Sequence, residues 1–88
     1  MKRYAIVRGL DVTRERVMAY LPRNYRVIWS GKMEPYEGAR HLDDVVVIQG
    51  ADDHGYTLDS YVIPRLGSGM MRADEIDLSH PIMKEVPV

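Results

Sequence analysis

The chain of 88 residues contains no cysteine. Disulfide cross-links, zinc–thiolate sites and thiol nucleophiles are therefore excluded, and the composition is compatible with a reducing cytosol. Long apolar segments are absent too, because the longest strictly aliphatic run is the four residues 45–48, whereas a membrane-spanning helix needs about 20. Residues 4–7 are too few for the apolar core of a signal peptide, and Arg8 interrupts them. We therefore expect a cytoplasmic protein that does not enter a membrane.

Patterns that mark catalytic sites are also scarce. The three histidines, at positions 41, 54 and 80, include no pair with the i, i+4 spacing of a helical zinc site. No nucleophile with an adjacent base and no phosphate-binding loop can be found in the sequence. We therefore expect a protein that is not an enzyme and that carries no cofactor.

The segment Asp52-Asp53-His54 is the strongest candidate for a metal site. Three adjacent residues cannot converge on one ion without a specially shaped loop, and the alternating acids of an EF-hand loop are missing. A cluster with the nearby Asp43 and Asp44 is conceivable. The turn composition around this segment favours a solvated loop, so the sequence predicts no metal here.

What the chain does contain is typical of one small globular domain. Hydrophobic residues make up 45% of it and charged residues 28%, which separates it from disordered chains. We expect a single α+β domain over residues 1–78, followed by an extended tail over residues 79–88 that holds two prolines. Such a tail would either fray or dock on a neighbouring protein.

The charges are distributed unevenly along the chain. Residues 1–40 carry nine Lys and Arg against four acids, a net charge of +5, and residues 41–88 carry three against nine, a net charge of −6. If the two halves form separate poles, they can orient a charged partner or favour head-to-tail association.

Four segments have the composition of strands. Residues 3–8 and 44–49 are apolar on both faces, as in central strands. Residues 25–30 alternate, which places Tyr25, Val27 and Trp29 on one face. Residues 70–76 fit a last, short edge strand.

Two segments fit helices. Thr13 is a good N-cap for a short helix that Pro22 would end. Thr57 would cap a second helix over residues 58–66, but Pro64 lies inside it and would kink it. The alternative is a strand over residues 61–63, and the choice for residues 61–66 stays open.

The resulting order is β-α-β-β-α-β. This is the split pattern of ferredoxin-like domains, an antiparallel sheet with both helices on one face. In that topology the first and third strands are central and the second and fourth are edges.

Two segments, YLPRNYRVIW (residues 20–29) and GYTLDSYVIPRL (residues 55–66), resemble short uncharacterised proteins encoded by bacteriophages of actinobacteria. The resemblance covers most of the chain, from residue 4 to residue 76. It implies a small cytosolic accessory protein, made in the infected host, that acts by binding a host protein. No functional residue carries over, because such proteins have no assigned activity or site.

The candidate partner-binding residues are Arg23, Tyr25, Arg26 and Trp29, which mix bases with aromatic side chains. Our first hypothesis is a protein-binding module, which would act on a partner protein or as a homodimer, through edge strands or an exposed sheet face. The alternative is a nucleic-acid-binding protein that uses the basic N-terminal half.

Overall fold

The computed structural model describes residues 2–9, 12–21, 25–51 and 71–87. They form one antiparallel sheet with short helices packed against it. In chain order the elements are β1 (Lys2–Gly9), α1 (Arg14–Met18), β2 (Tyr25–Met33), β3 (Asp43–Ala51), β4 (Met71–Ile76) and a 3₁₀ helix (Pro81–Lys84). The strand order is β2-β3-β1-β4, and every neighbouring pair is antiparallel.

The predicted positions of the four strands are confirmed. β1 and β3 lie in the middle of the sheet, and β2 and β4 lie at its edges. The central position follows from composition, since Ile6 and Val7 of β1 are both buried although they point to opposite faces. β3 is buried on both faces in the same way, with Val47 and Ile48 fully buried.

One face of the sheet, called here the helix face, is covered by α1. Val12 and Val17 are buried in one cluster with alternate residues of the central strands, among them Val7 and Ile48. The helix begins as predicted, because the Thr13 Oγ1 accepts a hydrogen bond from the Arg16 backbone N–H at 3.1 Å. It has only five residues and ends at Met18, so it covers the sheet with little more than one turn.

The opposite face, called here the C-terminal face, is covered by the end of the chain. Ile82, Met83 and Val86 are buried against a cluster that includes Tyr4 and Val47. The predicted extended conformation of residues 79–88 therefore does not hold, because Pro81–Lys84 forms a 3₁₀ helix. The segment folds back onto the sheet because its three apolar side chains remove the apolar surface of the central strands from water. Residues 80–86 are called the C-terminal segment below.

The predicted ferredoxin-like fold, with two helices on one face, is wrong. The described residues contain one short α-helix and one 3₁₀ helix, and these pack on opposite faces of a structure made mostly of strands. The second predicted helix, residues 58–66, and its strand alternative lie outside the described residues. Across the described ranges, no helix is long and apolar enough to cross a membrane.

Candidate interaction surface

Tyr25, the first residue of β2, is buried on the helix face. It lies opposite Gly50 of β3, and its ring occupies the space that a Cβ at residue 50 would take. Only a glycine fits beneath the ring at this position. Tyr25 is 7% exposed and belongs to the core cluster of the helix face, so it is a structural anchor of the edge strand in this conformation.

Trp29 lies on the C-terminal face, opposite to Tyr25. Between Val27 and Trp29 the register of β2 against β3 shifts, so that Val27 pairs with Ile48 and Trp29 with Val47. Such a bulge inserts one residue and reverses the alternation beyond it. The Trp29 ring lies over Gly31 and packs against the core cluster of the C-terminal face. The prediction that Tyr25, Val27 and Trp29 share one face is therefore wrong.

Arg26 is exposed but held by a buried polar side chain. Its Nε and Nη2 both donate to the Gln49 Oε1, at 3.1 and 3.0 Å. Gln49 is buried and donates from Nε2 to the Tyr4 hydroxyl at 3.4 Å. The guanidinium is thus oriented across β2 and β3 at the rim of the C-terminal face. Arg23 lies outside the described residues, so the four candidate partner-binding residues are not shown to form one surface.

The basic and acidic halves of the chain are interleaved in the sheet. β1 and β2 come from the basic half, β3 and β4 from the acidic half, and the order β2-β3-β1-β4 alternates between them. Ion pairs join the halves within the described residues, among them Arg3 with Glu75 at 3.5 Å and Lys32 with Asp44 at 3.3 Å. The strands therefore do not segregate into the two poles that the sequence suggested.

The acids near the start of β3 do not converge. Asp43 and Asp44 are adjacent in a strand, so their side chains point to opposite faces. Asp43 lies 3.6 Å from the His41 Nε2, and Asp44 pairs with Lys32. No group of three metal-ligating side chains occurs in the part of the chain that the structure describes. The segment Asp52-Asp53-His54 is outside that part, so its metal prediction stays open.

The edges of the sheet remain as candidate interaction surfaces. Within the described residues, β2 and β4 each have a neighbouring strand on one side only. β2 is interrupted by its bulge, whereas β4 pairs with β1 in an unbroken register from Met71 to Ile76. Arg72 and Asp74 of β4 are exposed. Neither residue was among the candidates predicted from the sequence, although their alternation with Ala73 could have indicated them.

Comparisons with protein-family models, with curated proteins and with solved structures gave no match to this chain.

Proposed function

We propose that this protein is a small non-enzymatic interaction module that binds another protein chain through an edge of its sheet. The observation that supports this is the contrast between faces and edges. Both faces are covered by the chain's own α1 and C-terminal segment, while β2 and β4 keep one open side among the described residues. An open edge presents a row of backbone N–H and C=O groups that can pair with another strand.

The resemblance to short phage proteins supports a setting for this module. In that setting the protein acts in the cytoplasm of an infected bacterium, and its partner is a host protein or a second copy of itself. The partner contributes a strand, because main-chain hydrogen bonds give an edge most of its affinity while side chains of alternate residues give specificity.

β4 is the better edge for such pairing. A bulge bends and twists an edge strand and interrupts its ladder, which is one way in which proteins protect edges from unwanted pairing. β2 has this protection between Val27 and Trp29. β4 has neither a bulge against β1 nor a proline over Met71–Ile76.

Two proline variants on β4 test this proposal and control one another. The backbone N–H groups of successive residues in a strand point to opposite sides. One of the variants Ala73→Pro and Asp74→Pro therefore removes a hydrogen bond to β1, and the other removes an N–H donor that points away from β1. Thermal melts identify the variant that keeps the parent's stability. That variant should lose binding to any partner captured from an actinobacterial lysate, and the parent's β4 amides should gain hydrogen-exchange protection in the complex. Binding that both variants retain would contradict an edge-strand mode.

Nucleic-acid binding by the basic half is the alternative, and the interleaved strands give it less support. Fluorescence anisotropy with mixed DNA and RNA oligomers at physiological salt should show no affinity tighter than about 10 μM, weaker than a specific basic reader gives. If the protein does bind nucleic acid, affinity must fall steeply with salt, because each neutralised phosphate releases counterions. A tight, salt-sensitive signal that an Arg23→Glu, Arg26→Glu double variant loses would favour this alternative over the protein-binding one.

A further inference from the structure

We propose that β4 pairs in antiparallel orientation with β4 of a second copy of this chain, about a two-fold axis at Ala73. This inference rests on the proposed function, in which an edge of the sheet is the binding surface, and it names the partner. Two copies would then share a continuous sheet of eight strands, built from the four strands described in each chain.

The side chains of β4 are placed by its register with β1. Arg72 lies opposite Arg8, and Asp74 lies opposite Ile6. Ile6 belongs to the core cluster of the C-terminal face, and residues that are directly opposite in an antiparallel pair share a face. Arg72 and Asp74 therefore both point to the C-terminal face, where both are exposed. Ala73 lies between them and points to the helix face.

The two-fold symmetry restricts the registers that β4 can adopt with itself. In an isologous antiparallel pair, a two-fold axis perpendicular to the sheet places the helix faces of both copies on the same side of the shared sheet. The residue through which the axis passes then lies opposite the same residue of the other copy. An axis at Arg72, Asp74 or Glu75 would place identical charges opposite each other, which destabilises a strand pair. Of the four residues 72–75, Ala73 is the only uncharged one.

With the axis at Ala73, opposite charges meet twice. Arg72 of each copy lies opposite Asp74 of the other copy, on the face where both side chains are exposed. Charges on an edge strand usually discourage pairing with other chains. Here the alternation of signs selects one register and disfavours the neighbouring ones.

A second observation concerns the environment of Arg72 in the single chain. Arg72 and Arg8 are like charges directly opposite each other, an arrangement that destabilises a strand pair. Neither Arg72 nor Asp74 takes part in an ion pair within the part of the chain that the structure describes. Pairing at Ala73 would bring a carboxylate to Arg72 on the side opposite to β1 and so offset its repulsion with Arg8.

Charge-reversal variants distinguish pairing in this register from non-specific association. Arg72→Asp makes both exposed positions acidic, and Asp74→Arg makes both basic, so each variant alone should be monomeric. An equimolar mixture should form a heterodimer, because every facing pair then has opposite signs. We expect the mixture to associate at least about tenfold more tightly than either variant alone, since two attractions replace two repulsions. Sedimentation equilibrium and native mass spectrometry measure the association of each variant alone and of the mixture.

A matched pair of variants away from β4 controls for net charge. Arg40→Asp and Glu37→Arg change exposed residues of the connection between β2 and β3 by the same charges. Their mixture should show no such gain. The parent should dimerise weakly, because a pair of short strands buries less area than stable interfaces do. The dimer should be lost at high salt, because salt screens the attraction between Arg72 and Asp74. Thermal melts of all four variants establish that each is folded.

Three outcomes would overturn the inference. They are a parent that stays monomeric up to about millimolar concentration, a mixture of the β4 variants that does not associate, and a control mixture that associates equally well. None of these would contradict the proposed function, which is tested separately by the proline variants of β4 and by the nucleic-acid titration. The inference holds if the β4 mixture alone gains affinity.

Discussion

The C-terminal segment should contribute a large share of the stability of this protein. Ile82 is 6% exposed and packs against the central strands. Replacing a buried Ile or Met by Ala costs about 2–5 kcal/mol, because it removes apolar contact and leaves a cavity. Ile82 is held by a short segment that can partly collapse onto the sheet, so we expect the lower end, about 2–3 kcal/mol. A domain of this size is stable by only about 5–10 kcal/mol.

Ile82→Ala should therefore shift both chemical and thermal unfolding visibly. With a urea m-value of about 1 kcal/mol/M for a small domain, the urea concentration at the midpoint should fall by about 2–3 M. The melting temperature should fall by about 8–24 °C, since each kcal/mol is worth about 4–8 °C at this chain length.

The control for this prediction is Leu78→Ala. Leu78 lies four positions earlier and is 64% exposed, so its truncation should change the free energy of unfolding by less than about 0.5 kcal/mol. Circular dichroism melts of the parent and both variants make the comparison. If Ile82→Ala and Leu78→Ala unfold alike, the C-terminal segment does not cover the sheet, and the two-sided core is refuted.

Val45→Asp and Val46→Asp should each abolish cooperative thermal unfolding, because the two side chains are buried on opposite faces and neither face tolerates an unpaired charge; a melt like the parent's from either variant would contradict a central β3. The pKa of Asp77 is lowered mainly by the hydrogen bond from the Ser79 hydroxyl, and also by the one from the Ser79 backbone N–H. The contribution of Asp77 to stability is therefore present above the ordinary aspartate pKa of about 3.9, and it is lost as the pH falls through the lowered pKa. Asp77→Asn should flatten the acid limb of a plot of melting temperature against pH, and an unchanged limb would contradict this. Calorimetric titration with zinc, calcium and manganese should show no binding tighter than about millimolar, whereas micromolar binding that His54→Ala abolishes would show a metal site in residues 52–54.

The sequence predicted the strands because β-branched and aromatic residues fit a pleated, buried surface. β1 and β3 could be recognised as central from apolar residues on both faces. The strand ends were predicted too short, since β2 runs to Met33 and β3 from Asp43 to Ala51. Apart from Met33, these outer residues are polar or small and carry no strand signal of their own. Their pairing is imposed by the neighbouring strand.

The bulge in β2 could not be predicted from alternation alone. Tyr25, Val27 and Trp29 have the spacing of one face of a regular strand, and the apolar Ile28 between them occupies the extra position. A bulge here lets Tyr25 pack on the helix face and Trp29 on the C-terminal face, so both large rings are used in the two cores. Burial of the two rings on opposite faces is an effect of tertiary packing, and it overrides the two-residue alternation of the strand.

The C-terminal segment had a weak signal that was overlooked. Ile82, Met83 and Val86 are the apolar residues of an otherwise polar, proline-containing stretch, and Pro81 fits the start of a helix because its φ is fixed and its N–H is not needed. The His80 Nδ1 accepts the backbone N–H of Ile82 at 3.2 Å and caps this start. Composition favoured a tail, but the apolar C-terminal face of the sheet made the folded segment more stable.

The need to cover two faces also explains why an edge is the better candidate for binding. A sheet whose central strands are apolar on both sides must be covered on both sides, and a chain of 88 residues has little material for this. Here a one-turn helix covers one face and the C-terminal segment covers the other. A partner that bound either face would first have to displace part of the core, at a cost comparable to the stability of the domain. Pairing at β4 would displace neither α1 nor the C-terminal segment, because among the described residues β4 has a neighbouring strand on one side only and the side chains of Arg72 and Asp74 are exposed.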